Sequence, residues 1–226
     1  MNTEDTFDLL QTFPLASCLT DGEIRTLCRT GQHRIYQKHE LIYQVGEESD
    51  EIFFLLQGVA KIIATSTDGR EVIKIIQHPI SILSEQSLAG EEYRTNNAMV
   101  LTSEACVLAV KVETIKSMML KNPRLAICVI NFIGKRLKYS EERLESLALL
   151  DARERIIDFL KANAVTFGQQ VGYELLLKHE FTQQDIANFT GTSRQTVTTV
   201  LNDLRKKNKI HFKRKSILIR DIASLA

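Results

Sequence analysis

The spacing of apolar residues changes along the chain, and each change indicates a different secondary structure. Between about residues 30 and 110 the apolar residues fall in short runs with polar neighbours, which is the pattern of β-strands. Gly58 and the Asp68-Gly69 pair separate successive runs and predict tight turns. Several short strands at this spacing predict a small jelly-roll-like β-barrel. The predicted strands include residues 52–56, 59–64, 71–77 and 106–110.

From residue 122 onward the apolar spacing alternates between three and four, which predicts one long helix. Pro123 stands where the first turn of a helix tolerates proline. Because a barrel closes its own core, we expect the apolar seam of this helix to pack on a second copy of the chain. Residues 149–152 follow as a hinge. The seam has the a/d pattern of a coiled coil and contains Ile130, Ile133, Leu137, Ser140, Leu144 and Leu147.

Residues 182–201 carry the signals of two helices joined by a tight turn. Gly191 lies where such a turn needs a positive φ, and Ala187 is small enough for the helices to cross closely. Helical spacing turns three apolar residues inward, namely Ile186, Val197 and Val200. Two threonines, each with a polar residue three positions on, are predicted to cap the helix starts: Thr182 with Asp185, and Thr192 with Gln195.

The outward side of the second predicted helix has the chemistry of a DNA-reading surface. It carries Arg194, Gln195, Thr198 and Thr199 on its first turns. An exposed guanidinium and an exposed amide are the groups that read base edges in a major groove. An ordinary helical hairpin with a solvated polar face has the same spacing, so the spacing alone leaves that alternative open.

The C-terminal residues add a basic hairpin to these two helices. Residues 210–212 and 216–219 alternate as strands, joined by Lys213, Arg214 and Lys215. A helix-turn-helix followed by such a hairpin is a winged helix, whose basic tip contributes affinity for a phosphate backbone. Residues 152–226 carry 13 of the 29 Lys+Arg and 7 of the 28 Asp+Glu, a net +6, which leaves −5 on residues 1–151. The overall charge of +1 therefore conceals a basic C-terminal domain.

The composition argues against several other classes of protein. No run of 18 apolar residues is present and the N-terminus is acidic, so we expect a cytoplasmic protein without a membrane span or signal peptide. The four cysteines lie far apart in sequence, and disulfides are not expected. No Ser/His/Asp or Cys/His constellation is apparent, and His33, His39 and His78 lack the spacing of cupin metal ligands. We therefore expect neither an enzyme nor a metal site.

The helix-turn-helix residues resemble the DNA-binding domain of the Crp/Fnr family of transcription regulators. The motif reads Phe181-Thr-Gln-Gln-Asp-Ile186 and Gly191-Thr-Ser-Arg-Gln-Thr-Val197, and weaker similarity covers nearly the whole chain. Segments that include Gly46 and Gly58 resemble the cyclic-nucleotide-binding domain of the same family. The resemblance implies an α+β fold in three parts: a sensor barrel with flanking helices at 1–121, a dimerisation helix at 122–150, and a winged helix at 151–226.

The same resemblance implies a function and assigns roles to individual residues. It implies a homodimeric regulator that binds double-stranded DNA at a near-palindromic operator, with RNA polymerase as a further partner. Arg194 falls on the guanine-reading arginine of the family, and Ser193, Thr196 and Gln184 fall on phosphate-contacting positions. Gln195 replaces a base-reading Glu of the cyclic-AMP-binding members, and Thr199 replaces an Arg. Because Gln suits adenine whereas Glu accepts from cytosine, we expect a different operator.

The effector site is where the chain departs most from cyclic-AMP-binding members. Those members hold the phosphate with a Gly-Glu pair and an Arg-Ser pair, and the adenine with two hydroxyls on the long helix. Here Ser84-Glu85 stands at the first pair and Asn96-Asn97 at the second, while Arg94-Thr95 lies two residues too early. The two positions that carry the adenine-binding hydroxyls in those members correspond to Ser140 and Glu141 of this chain. Since the expected cation is missing and Glu141 adds a negative charge, we predict that cyclic AMP is not the effector.

Other sensor types of the family are also not predicted. An iron–sulfur cluster needs closely spaced cysteines, and Cys18 and Cys28 are too few and too far apart. Haem needs an axial ligand, for which His78 is the one candidate, and a lone His near a turn is usually a surface residue. No cofactor is therefore predicted. A second functional interpretation stays open, in which the chain is a ligand-binding module whose helix-turn-helix does not contact DNA.

Overall fold

The computed structural model of the chain describes residues 3–225. The chain divides into two units within its longest helix. The N-terminal unit contains the chain up to Gly69 together with Lys74–Ser140, and the C-terminal unit contains Arg70–Ile73 and the chain from Glu141 onward. The three-part division at residues 121 and 150 remains a prediction.

Two four-stranded sheets form the body of the N-terminal unit and confirm the predicted jelly-roll-like fold. One sheet has the strand order β1-β8-β3-β6 and the other has the order β2-β7-β4-β5. Each predicted strand is present, extended by one or two residues at an end or shifted by one residue where it differs. The strands are β1 (Gln32–Gln37), β2 (Leu41–Tyr43), β3 (Glu51–Gln57), β4 (Ala60–Thr65), β5 (Glu71–Gln77), β6 (Ser81–Leu83), β7 (Asn97–Val100) and β8 (Glu104–Lys111).

Strand β3 is buried on both of its faces, which explains its continuous apolar run. Phe53 and Leu55 point into the core between the two sheets. Ile52 and Phe54 point the other way, into a second core that helices cover. Because successive side chains of a strand point to opposite faces, a strand between two apolar layers shows no alternation of apolar and polar residues.

Helices supply the second core of the N-terminal unit. The helices of this unit are α1 (Thr3–Leu10), α2 (Asp21–Thr30), α3 (Val112–Lys121) and α4 (Pro123–Leu149), with 3-10 turns at Ala16–Cys18 and Glu85–Ala89. Leu125 and Val129 of α4 are buried in this core. The predicted seam lies largely on another face of α4, where Ile130, Leu137 and Leu144 are 66%, 61% and 68% exposed. Ile133 is the exception, since it packs against the second core.

A disulfide joins Cys18 to Cys128, so the expectation of no disulfide was wrong for this pair. Their Cα atoms lie 6.5 Å apart, within the range that a disulfide can bridge, although 110 residues separate them in sequence. The fold brings the 3-10 turn after α1 against the first turns of α4, which sequence spacing does not reveal. Cys28 and Cys106 are free, and burial raises the pKa of both thiols.

The C-terminal unit has the winged helix that the sequence predicts, with one hairpin more. Its helices are α5 (Ala152–Phe167), α6 (Gln183–Thr190) and α7 (Arg194–Lys206). Its strands are β9 (Gln169–Val171), β10 (Glu174–Lys178), β11 (Ile210–Lys213) and β12 (Ser216–Ile219), in the order β11-β12-β10-β9. The pair β9–β10 was not predicted because β9 is short and exposed along its length. None of the helices in residues 3–225 has the length and apolar character that crossing a membrane requires.

Candidate DNA-binding surface and effector pocket

Local interactions determine where α6 begins and ends. Thr182 accepts a hydrogen bond from the backbone N–H of Asp185, and the Asp185 carboxylate accepts one from the backbone N–H of Thr182, which is the predicted capping box. At the other end Gly191 has φ +62° and donates its N–H to the carbonyl of Ala187. This left-handed conformation favours glycine and ends α6 with a sharp turn.

The start of α7 differs from the prediction by one residue. Ser193, not Thr192, caps the helix, because its hydroxyl accepts from the backbone N–H of Thr196 at 3.0 Å. The Ser193 and Thr196 hydroxyls also lie 2.8 Å apart and share a hydrogen bond. Arg194 and Gln195 therefore occupy the first two positions of α7. Both side chains are exposed at the end of the helix that follows the turn.

Buried contacts and ion pairs hold α6 and α7 on α5. The predicted inward residues Ile186, Val197 and Val200 are all buried. Arg155 of α5 donates to the carbonyls of Thr190 and Gly191, the last groups of α6 and its turn. Arg153 of α5 pairs with Asp203 of α7 at 2.8 Å. Hydrogen bonds from Lys207 and Arg153 lower the pKa of the Asp203 carboxyl.

The predicted DNA-binding residues of the two helices do not all have the same exposure. Arg194, Gln195, Ser193 and Thr199 are exposed, and so is Gln184, whose amide donates to Asn188 at 2.7 Å. Thr196 is half-buried through its contact with the cap. Thr198 is also half-buried, because its hydroxyl contacts the side chain of Gln183 on α6. Thr198 is therefore less available to a base than the prediction assumed.

The three basic residues of the wing are exposed but differ in their surroundings. Lys215 lies 2.8 Å from Glu180, so part of its charge is offset within the protein. Lys213, Arg214 and Arg194 form no ion pair with an acidic side chain in the described part of the chain. These three cations are free to meet an external anion such as a phosphate.

A small pocket in the N-terminal unit contains half of the predicted effector residues. Its volume is about 90 Å³, small beside the roughly 300–1,000 Å³ of typical small-molecule sites. Ser84, Glu85, Asn96 and Ser140 line it. The other four predicted residues do not line it: Arg94, Thr95, Asn97 and Glu141.

Other residues of this pocket were not identified from the sequence. Arg136 of α4 donates from Nε to Glu85 at 2.6 Å, across 51 residues of sequence. Tyr43, Lys74 and Tyr139 complete much of the remaining lining. Asn96 is buried and its Oδ1 has no hydrogen-bond partner among residues 3–225. The pocket therefore contains an internal ion pair and an unsatisfied acceptor.

Arg94 is part of the interior rather than of the pocket lining. It is 4% exposed, donates to Ser87 at 3.0 Å and to the Glu51 carbonyl at 2.6 Å, and stacks on the Tyr43 ring at 4.7 Å. Desolvation lowers the pKa of its guanidinium. Moving Arg94 into the pocket would break these contacts.

His78, the candidate haem ligand, does not line the pocket either. Burial lowers its pKa to about 4, so the imidazole is neutral at physiological pH. No group of three or more metal-ligating side chains is present among the described residues.

Comparison with known proteins identifies both units. Residues 33–122 match the family model of the cyclic nucleotide-binding domain, and residues 154–226 match that of the Crp-like helix-turn-helix domain. The chain is 28% identical over 191 residues to a CRP-like cAMP-activated global transcriptional regulator of Mycobacterium tuberculosis, over 84% of this chain and 85% of that protein.

Solved structures show the same fold. FixK2 from Bradyrhizobium japonicum superposes with a TM-score of 0.78 at 19% identity, over 86% of this chain and 95% of that chain. The c-di-GMP responsive global regulator CLP from Xanthomonas campestris gives a TM-score of 0.75 at 19% identity, over 88% and 99%. With both domain matches in the order that the fold shows, this chain is a DNA-binding transcription regulator of the Crp/Fnr family.

Proposed function

We propose that two copies of this chain bind a near-palindromic operator and that Arg194 reads a guanine in each half-site. The observation that carries this proposal is the placement of Arg194, which is exposed in the first turn of α7 and unpaired with any acidic side chain of residues 3–225. A bidentate guanidinium–guanine contact contributes about 1–3 kcal/mol of discrimination at one base pair. Gln195, the next exposed residue, suits adenine.

The exposed seam of α4 supports the homodimer. Ile130, Leu137 and Leu144 each expose more than half of their surface in the single chain. An exposed apolar stripe of this kind marks an interaction site, and an a/d spacing selects another helix as its partner. A two-fold dimer presents two recognition helices to two half-sites, which explains why the operator is near-palindromic.

The remaining polar and basic residues of this surface are proposed to contact the phosphate backbone. They hold the dimer on DNA without selecting sequence: Ser193, Thr196, Gln184, Lys213, Arg214 and Lys215. Because Glu180 offsets Lys215, we expect Lys213 and Arg214 to contribute more. The regulator acts in the cytoplasm, contacts RNA polymerase from the DNA and has no catalytic activity of its own.

The experiment compares Arg194→Ala with Lys213→Ala in binding to a randomised duplex library and in salt titrations. Arg194→Ala is expected to relax preference at one position of each half-site. Lys213→Ala is expected to weaken binding to all sequences alike. It should also reduce the slope of log affinity against log salt by the amount that one phosphate contact per protomer contributes, about one. An Arg194→Ala protein with unchanged affinity and preference would refute the assignment of the recognition helix.

We further infer that the effector is not cyclic AMP. The similar M. tuberculosis regulator is cAMP-activated and CLP is c-di-GMP responsive, so likeness alone selects no ligand. In this chain Arg136 is already paired with Glu85, and Arg94 is hydrogen-bonded to Ser87 outside the pocket. The unsatisfied atom of Asn96 is an acceptor, whereas a phosphate needs a donor. A phosphate in such a pocket has little to offset its desolvation.

Calorimetry with cyclic AMP and with cyclic GMP tests this inference. No binding of either nucleotide is expected, in a preparation whose affinity for operator DNA is measured in parallel. Low-micromolar binding of either nucleotide, abolished by Arg94→Ala, would show that Arg94 leaves its buried contacts and that the inference is wrong.

A further inference from the structure

One hydrogen bond joins the two helices of the helix-turn-helix at the edge of the proposed DNA-reading surface. The hydroxyl oxygen of Thr198 on α7 lies 2.6 Å from Oε1 of Gln183, the first residue of α6. The same oxygen lies 2.9 Å from the carbonyl oxygen of Arg194. Both Thr198 and Gln183 are half-buried, unlike the exposed Gln195 and Thr199 beside them.

The hydrogen bond from Thr198 determines which way the Gln183 amide points. A threonine hydroxyl has one proton, so it donates fully to only one of its two neighbours. The Thr198 hydroxyl donates to Oε1 of Gln183 at 2.6 Å, an ordinary O–H···O separation. The Gln183 NH₂ group then points away from Thr198, and it donates to no atom of residues 3–225.

We propose that Thr198 is a positioning residue: it reads no base, but orients Gln183 so that the amide NH₂ donates to the DNA backbone. This inference rests on the proposed mode of DNA binding through α7. Gln183 is the first residue of α6 and contacts Thr198, which lies on the same helix as the exposed Arg194 and Gln195. Sequence preference then depends on the exposed side chains of α7 and not on Thr198.

The proposal predicts a different result from the one expected if Thr198 read a base or if a cation contacted the phosphate. Thr198→Val keeps the shape of the side chain and removes the hydroxyl, which frees the Gln183 amide to rotate. Affinity should fall by about tenfold per half-site, since a hydrogen bond to a charged group is lost or misdirected. Base preference should not change. The salt dependence should not change either, because a neutral amide releases no counterion.

The test is a double-mutant cycle with a conservative rescue, measured on one operator and on a randomised library. Gln183→Ala should reproduce the loss caused by Thr198→Val, and the double variant should lose no more than either alone. Thr198→Ser should bind like the unsubstituted protein. The matched control is Thr166→Val on α5, because the Thr166 hydroxyl makes the same i−4 bond, to Ala162 at 2.9 Å, without a hydrogen bond to another helix of residues 3–225.

Each outcome has a definite meaning. Losses that add in the double variant would overturn the proposal, since a purely structural effect of Thr198→Val persists when Gln183 is absent. A change of base preference at one position would also overturn it and make Thr198 a base reader. Arg194→Ala is measured in parallel: if it alters preference as expected while the cycle fails, only this inference fails. If Arg194→Ala has no effect, the proposed binding mode itself is wrong.

Discussion

Gly191→Ala is expected to destabilise the helix-turn-helix, although Gly→Ala stabilises a protein where alanine can adopt the native backbone conformation. Gly191 has φ +62°, a conformation that costs a residue with a Cβ atom about 1–2 kcal/mol. Alanine also restricts the unfolded chain, which offsets about 0.4–1 kcal/mol of this cost. A Cβ atom at this position would also lie 2.9 Å from Cδ2 of Leu147, a side-chain end that must move. The net expectation is a loss of about 1 kcal/mol.

Gly22→Ala provides the matched control. Gly22 lies inside α2, and the nearest atom to a Cβ built there is the Thr20 hydroxyl oxygen at 4.0 Å. Gly22 is the second residue of α2, so alanine should stabilise α2 by up to roughly 0.5 kcal/mol, the lower end of the value for a helix interior. The same chemical change is therefore expected to have opposite signs at the two positions.

Native-state hydrogen exchange read by mass spectrometry is the suitable assay, because it reports the opening of each helix separately in a chain with two units. Amides of α6 and α7 should exchange about fivefold faster in Gly191→Ala, and amides of α2 should exchange more slowly in Gly22→Ala. Gly191→Asn should lie closer to the unsubstituted protein because Asn tolerates the left-handed region. Slower exchange of α6 in Gly191→Ala would refute the left-handed turn.

Three further predictions concern the seam, the disulfide and the half-buried imidazole of His78. Leu144→Glu should convert the dimer to a monomer in sedimentation experiments, because a charge would be buried in the seam; an unsubstituted protein that is monomeric at micromolar concentration would contradict the dimer. Denatured, unreduced protein should titrate with two thiols rather than four, and reducing Cys18–Cys128 should lower the free energy of unfolding by about 2–5 kcal/mol; four reactive thiols before reduction would show that the pair is not bonded. The pKa of His78 is about 4 in the folded chain and about 6.5 in the unfolded chain. Its contribution to stability is therefore present above pH 6.5 and is lost as the pH falls from about 6.5 to about 4. His78→Gln should reduce the drop in urea midpoint between pH 7 and pH 5, and an unchanged drop would assign it to other groups.

The recognition of this chain as a DNA-binding regulator depended on features that the sequence determines by itself. Caps, turns and helical periodicity arise from interactions within a few residues, so the helix-turn-helix and the wing hairpin could be predicted from their own segments. The error at the start of α7, Thr192 in place of Ser193, is a choice between two adjacent hydroxyls that can both cap a helix. The exposed Arg194 and Gln195 followed from the same periodicity.

The contacts that only the tertiary structure determines join residues far apart in sequence. Arg136 reaches Glu85 across 51 residues, and Cys18 meets Cys128 across 110. Thr198 was predicted to face outward, yet it contacts Gln183 fifteen residues earlier, because the crossing of α6 and α7 brings them together. Periodicity predicts which face of a helix is polar, but only packing determines whether a polar side chain on that face meets solvent, a ligand or another part of the chain.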